Sequence, residues 1–143
     1  MKRFLMHSGC ALVLSAGSTL ALADVVVVVA SASPVKTLAS TQVANIFLGK
    51  TNRFPDGGSA TPVDLPEGSP IRDEFYTRFT GKSAAQLKAH WSKIIFTGRG
   101  QPPEALASSA EVKKYLADHP DSIGYIDARE VDDSVRVVPS DSP

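Results

Sequence analysis

Pro66-Glu-Gly-Ser-Pro-Ile-Arg-Asp-Glu-Phe-Tyr76, PEGSPIRDEFY, is where a short strand candidate at Thr61–Leu65 turns into a helix. Ser69 is placed to cap that helix, accepting hydrogen bonds from the free amides of its first turn. Pro70 suits the first helical position, where a missing N–H is no loss. Ile71, Phe75 and Phe79 then repeat at helical spacing and give the helix an apolar side. A helix start of this kind has two uses. It can simply begin a helix, or its amides and dipole can seat a small anion such as phosphate, sulfate or a carboxylate.

Outward from this junction, the pattern alternates strands and helices. Asp24-Val-Val-Val-Val-Val-Ala30 is a β-branched run expected of a strand covered on both faces. Ser40 or Thr41 can cap a helix through Leu48, with Val43, Ile46 and Phe47 inside and Gly49 ending it. Asn52–Ala60 is loop, rich in Gly, Pro and Asp. The helix from Ser69 ends near Gly81. Ser83 can cap the next, where Ala84, Leu87, Trp91, Ile94 and Ile95 form one stripe read as core. Thr97–Pro103, TGRGQPP, is an exposed loop. Glu111–His119 reads as a helix with Val112, Tyr115 and Leu116 inside. Ser122–Asp127 and Ser134–Val138 close the chain as strands. This order predicts α/β or α+β, helices packed on a small sheet.

The motifs IFLGKT, RFTGKS and IFTGRG share an aromatic, a spacer, glycine and a base. They read as three helix C-termini, with left-handed glycine, a cation against the dipole and a buried Phe before each glycine. Gly49-Lys50-Thr51 is not a nucleotide-binding loop. Position 44 is Ala rather than Gly, and the helix ends at the motif instead of starting after it.

The N-terminal residues read as an export signal: Lys2 and Arg3, an apolar run from Phe4 to Leu22, then Ala21-Leu22-Ala23 before a mature start at Asp24. A membrane anchor fits less well, since His7, Ser8, Gly9, Ser15 and Ser18 interrupt the run. A lipoprotein reading of Cys10 is opposed by His7, which stands where a lipobox has leucine. Cleavage would leave 120 of the 143 residues, without Cys10, the only cysteine, so the domain at 24–139 must fold on its core alone. Residues 140–143 read as a frayed tail. The mature part carries 15 acidic and 13 basic residues, a formal charge of −2, and no global footprint for nucleic acid or membrane.

Catalytic and metal signatures are thin. His90 reads as a packing residue and His119 as a helix-end residue, and neither has a neighbour at metal-ligand spacing. No GxSxG is present. Asp73-Glu74 and Asp132-Asp133 are adjacent and so diverge as solvated surface. No enzyme, metal or cofactor is expected.

With Val43-Ala-Asn-Ile-Phe-Leu-Gly-Lys50, the Pro66–Phe75 motif, IIFTGRGQPP and Ser122-Ile-Gly-Tyr-Ile-Asp127 in this order, the chain resembles the periplasmic phosphate-binding proteins of ABC importers. It is closest in pattern to their short, single-lobe relatives, over Val25–Val138. The resemblance implies one lobe of a type II periplasmic-binding-protein fold, a small mixed sheet flanked by helices. The export signal implies a periplasmic location, and the interruptions of its apolar run argue against a membrane-spanning segment. The resemblance also implies a small anion as ligand, phosphate first, and an ABC permease or a second copy of the chain supplying the missing wall.

In the family motif, an arginine and an acid at a strand end precede a Ser-Gly-Thr turn that grips phosphate. Here Glu67 stands at the acid, Gly68 allows close backbone approach and Ser69 matches the serine. Pro70 replaces the glycine and Ile71 the threonine, leaving the Ile71 amide. Leu65 stands near the arginine, and Arg72 is the nearest cation to replace its charge. A second reading keeps the lobe without the ligand: an interaction module of the cell envelope, docking through TGRGQPP and Lys50–Phe54.

Overall fold

The computed structural model describes Asp24–Asp141, so the expected signal segment and Cys10 lie outside the described residues. In chain order the elements are β1 (Val25–Ala30), α1 (Ser40–Phe47), β2 (Thr61–Asp64), α2 (Pro70–Thr80) and α3 (Ala84–Phe96). They continue with β3 (Glu104–Ala105), α4 (Ser109–Asp118), β4 (Ser122–Asp127) and β5 (Val135–Val137). One mixed five-stranded sheet results, in the order β3-β2-β4-β1-β5. β2 runs parallel to β3 and β4, whereas β1 runs antiparallel to β4 and β5. The valine run is therefore an interior strand buried on both faces, as its composition requires, although its partners are antiparallel.

Side-chain alternation along β4 assigns the two faces. A Cβ at Gly124 would lie 2.8 Å from Val112 and 3.1 Å from Val63, so α4 presses onto that face with no room to spare. Tyr125 points the other way, into an aromatic cluster from α1 and α2. Its ring stacks on Phe75 at 4.0 Å, and Phe47 meets Phe75 edge-on at 4.7 Å. Edge and offset geometries are those favoured by ring quadrupoles.

The helix ends follow the expected chemistry in most places. Ser69, Ser83 and Ser108 cap α2, α3 and α4 through their side-chain oxygens. α1 departs from this: its N-cap is Ala39, whose amide donates to the Gln42 side chain at 2.8 Å. Ser40, expected as a cap, instead donates to the Asp141 carbonyl and ties the C-terminal segment to α1. Gly49, Gly81 and Gly98 all adopt positive φ at helix ends. At Gly49 and Gly98 the paired bonds of a Schellman motif are present, including Lys50 N to Asn45 O and Arg99 N to Ile94 O.

Burial corrects one stripe. Leu87 and Trp91 are core, but Ala84 and Ile95 are exposed and Phe96 is 92% exposed. The expected buried Phe before each glycine holds for Phe47 and Phe79 and fails at Phe96. The two-residue β3, paired Val63 to Glu104 and Asp64 to Ala105, carries no period of its own in the sequence.

Candidate functional site

β2 delivers the chain to the PEGSP turn with Asp64 as its last residue, 3% exposed and without an apolar reason to be inside. Buried carboxylates survive only when paired and hydrogen-bonded. Asp64 is both. Tyr76 donates to Oδ2 at 2.7 Å, Tyr125 donates to Oδ1, and the Leu65 amide donates to Oδ1 at 2.9 Å. The Arg72 Nε lies 3.4 Å from Oδ1, and its guanidinium sits 5.2 Å from the Tyr76 ring centre. Burial, followed by the adjacent Asp64 charge and hydrogen bond, holds both tyrosine hydroxyls far above their ordinary range. They stay protonated donors to the carboxylate.

The turn above this cluster places the sequence-predicted residues as follows. Gly68 has φ of +91°, a conformation that L side chains rarely adopt. Ser69 turns its amide to the Pro66 carbonyl and accepts the Arg72 amide on Oγ at 3.4 Å. Its O–H has no acceptor among the described residues and is free to donate. The Gly68 and Ile71 amides make no hydrogen bond among the described residues. Glu67 is exposed and its Oε1 lies 3.9 Å from Lys88 Nζ on α3. The side chain of Ile71 packs towards the core.

Arg72 is where the geometry departs from its expected role. Its side chain is 14% exposed and drawn inward to Asp64, so its charge is already answered. The cation that comes to the helix start from outside is Lys88. The arrangement brings together two free amides, one hydroxyl donor and a positive helix end, with the exposed Lys88–Glu67 pair beside them. Such a set can hold an anion on an open surface, with the Asp64 cluster fixing the turn from below.

Sequence reading missed Asp64, Tyr76, Tyr125 and Lys88. Two signals were available: an acid inside a buried strand, and a tyrosine in the middle of IGYID whose hydroxyl must find a partner once buried. His90 and His119 sit as expected. His90 bonds through Nε2 to the Leu48 carbonyl at 2.9 Å, edge-on to Trp91, and His119 stacks on Tyr115 at 4.0 Å. Among the described residues no three metal-ligating side chains converge, and no helix is long and apolar enough to cross a membrane.

A separate cleft of about 510 Å³ lies between the loop after α1 and the segment leading into β3. Lys50, Asn52, Trp91, Gln101, Pro102 and Tyr115 are among its walls. None of Glu67, Gly68, Ser69, Ile71 or Arg72 lines it.

Solved structures place this architecture. The chain superposes on a protein from Clostridium perfringens described as a phosphate ABC transporter substrate-binding protein, crystallised with bound phosphate. The TM-score is 0.64 at 24% identity, over 81% of this chain and 44% of that one. An ABC-type phosphate transport receptor from Vibrio cholerae gives 0.64 at 19% identity, over 81% and 45%. PstS from Borrelia burgdorferi gives 0.62 at 12% identity, over 82% and 47%. The chain thus has the fold of part of these phosphate-binding receptors and spans less than half of their length. The sequence matches no protein-family model and no curated protein.

Proposed function

We propose that the chain is a secreted, periplasmic, non-enzymatic solute-binding protein that takes phosphate or another small oxyanion at the start of α2, in connection with ABC-type transport. The observation that carries this reading is the helix start itself. In a fold shared with phosphate receptors, β2 ends in a turn whose Gly68 and Ile71 amides and Ser69 hydroxyl remain free. Pro70 removes one donor, and a single lobe leaves the ligand half in water. Affinity then falls in the micromolar to millimolar range as an order of magnitude, about 4–8 kcal/mol. A tighter complex needs a second wall, from an ABC permease or a second copy of the chain.

Melting curves in phosphate, sulfate and small carboxylates, against chloride at equal ionic strength, test the proposal. The parent should gain stability from one of the anions. Ser69→Asp should keep its own stability, because aspartate caps well, and lose the anion effect by repulsion. No shift beyond chloride for any anion removes the ligand from the account.

One observation favours the second reading, a ligand-free interaction module of the envelope. The cleft of about 510 Å³ is walled by Lys50–Asn52 and Gln101–Pro103, the two segments that this reading uses for docking. We place the anion at Ser69 nonetheless, because the free donors and the positive helix end are there. Capture of a specific envelope protein, abolished by Lys50→Glu with Gln101→Glu while anions leave the melting point unmoved, would decide for the module.

A further inference from the structure

Phe96 is 92% exposed and Ile95 beside it is 47% exposed, at the last turn of α3. Neither the core nor the helix cap uses their side chains, since the cap is made by backbone bonds around Gly98. The stretch of sequence around them is one-sided in charge. Between Glu74 and Glu104 the sequence holds Arg78, Lys82, Lys88, Lys93 and Arg99 and not one acid. Arg78 and Lys88 are near carboxylates at 3.9 Å, whereas Lys82, Lys93 and Arg99 form no ion pair among the described residues. Lys93 and Phe96 are three apart on the helix and share its outer face, and the Schellman turn holds Arg99 just beyond.

We propose that this corner, Phe96 and Ile95 flanked by Lys93 and Arg99, docks the protein on an anionic phospholipid surface. Two apolar side chains fall well short of the roughly 800 Å² per partner that a stable protein interface needs. A bilayer has no such requirement: an apolar ring such as Phe buries at the boundary of headgroups and acyl chains, and each nearby cation adds attraction to anionic lipid. The protruding ring and the two flanking cations, Lys93 and Arg99, which form no ion pair among the described residues, suit that shapeless, negative partner.

Flotation with phosphatidylcholine vesicles, with and without phosphatidylglycerol, tests this. The chain from Asp24 onward is used; it carries the whole of the described core and omits the apolar Phe4–Leu22 run, which could bind lipid itself. Binding should require phosphatidylglycerol and weaken with salt. Lys93→Ser or Arg99→Ser should each cost about fivefold. Phe96→Ser should cost about tenfold or more while leaving the melting point in place. Failure to float with phosphatidylglycerol, or flotation unaffected by Phe96→Ser, overturns the proposal. So does a dimer, or a captured protein partner, that depends on Phe96 while vesicles are ignored.

Discussion

Removing the Asp64 carboxylate should be among the most damaging single changes to this chain. In Asp64→Ala, two buried tyrosine hydroxyls lose their acceptor, at about 1–3 kcal/mol each. Arg72, buried but for its outer edge, loses its counter-charge. Breaking a buried pair from one side typically costs about 3–5 kcal/mol. These contributions overlap, so we expect a total of about 4 kcal/mol or more, against the roughly 5–15 kcal/mol that holds a domain of this size together. Asp64→Asn keeps the shape and one acceptor oxygen and should cost less, about 2–3 kcal/mol. Adding Arg72→Met to Asp64→Asn should cost less than the two single changes summed, by about 1–3 kcal/mol, because the second change removes the stranded charge. Urea denaturation followed by circular dichroism measures all three. A loss below about 1 kcal/mol for Asp64→Ala, or strict additivity in the cycle, would refute the buried network as the support of the turn.

The same network sets an alkaline limit. Tyr76 and Tyr125 have folded-state pKa values raised above the ordinary 10.0, so the native state keeps protons that the unfolded chain releases. Stability should be intact below about pH 10 and fall above it by up to about 1.4 kcal/mol per tyrosine per pH unit, with Tyr76→Phe removing one share of that slope. Trp91→Ala should cost about 3–5 kcal/mol in urea, since the ring is core and lies under Gly49. Gly98→Ala, at positive φ in open space, should cost about 1–2 kcal/mol, and Gly49→Ala more, because its Cβ would lie 2.9 Å from the Trp91 ring. Asp132, held down to about 2 by hydrogen bonds from Lys113 and then Ser134, should titrate closer to the ordinary carboxylate value in Lys113→Ala, read by NMR.

How much of this was legible beforehand depended on whether the cause was local. The helix ends at Gly49, Gly81 and Gly98 were readable because left-handed glycine is a property of a few consecutive residues. The valine run and the Ser69 cap were readable for the same reason. Ala39 was not, since its cap comes from the Gln42 side chain reaching back and leaves only half of the usual signature. β3 was missed because two residues have no period; β2 pairing alone makes it a strand. Phe96 looked buried because the IFLG and RFTG motifs bury their Phe, yet the last turn of α3 runs past the core. The site was the harder part. Its turn and cap were local, but Asp64 meets a tyrosine 61 positions away, and that partnership turns Arg72 inward. Lys88 arrives from the next helix, through a packing angle that no sequence period encodes.

The measurement that bears most directly on the central claim is an amide NMR titration of the chain with phosphate, matched step by step with chloride. Saturable shifts confined to Gly68, Ser69 and Ile71 are expected at micromolar to millimolar phosphate, as an order of magnitude, abolished in Ser69→Asp. Shifts that follow chloride equally, or that cluster around Lys50 and Gln101 instead, would contradict that claim.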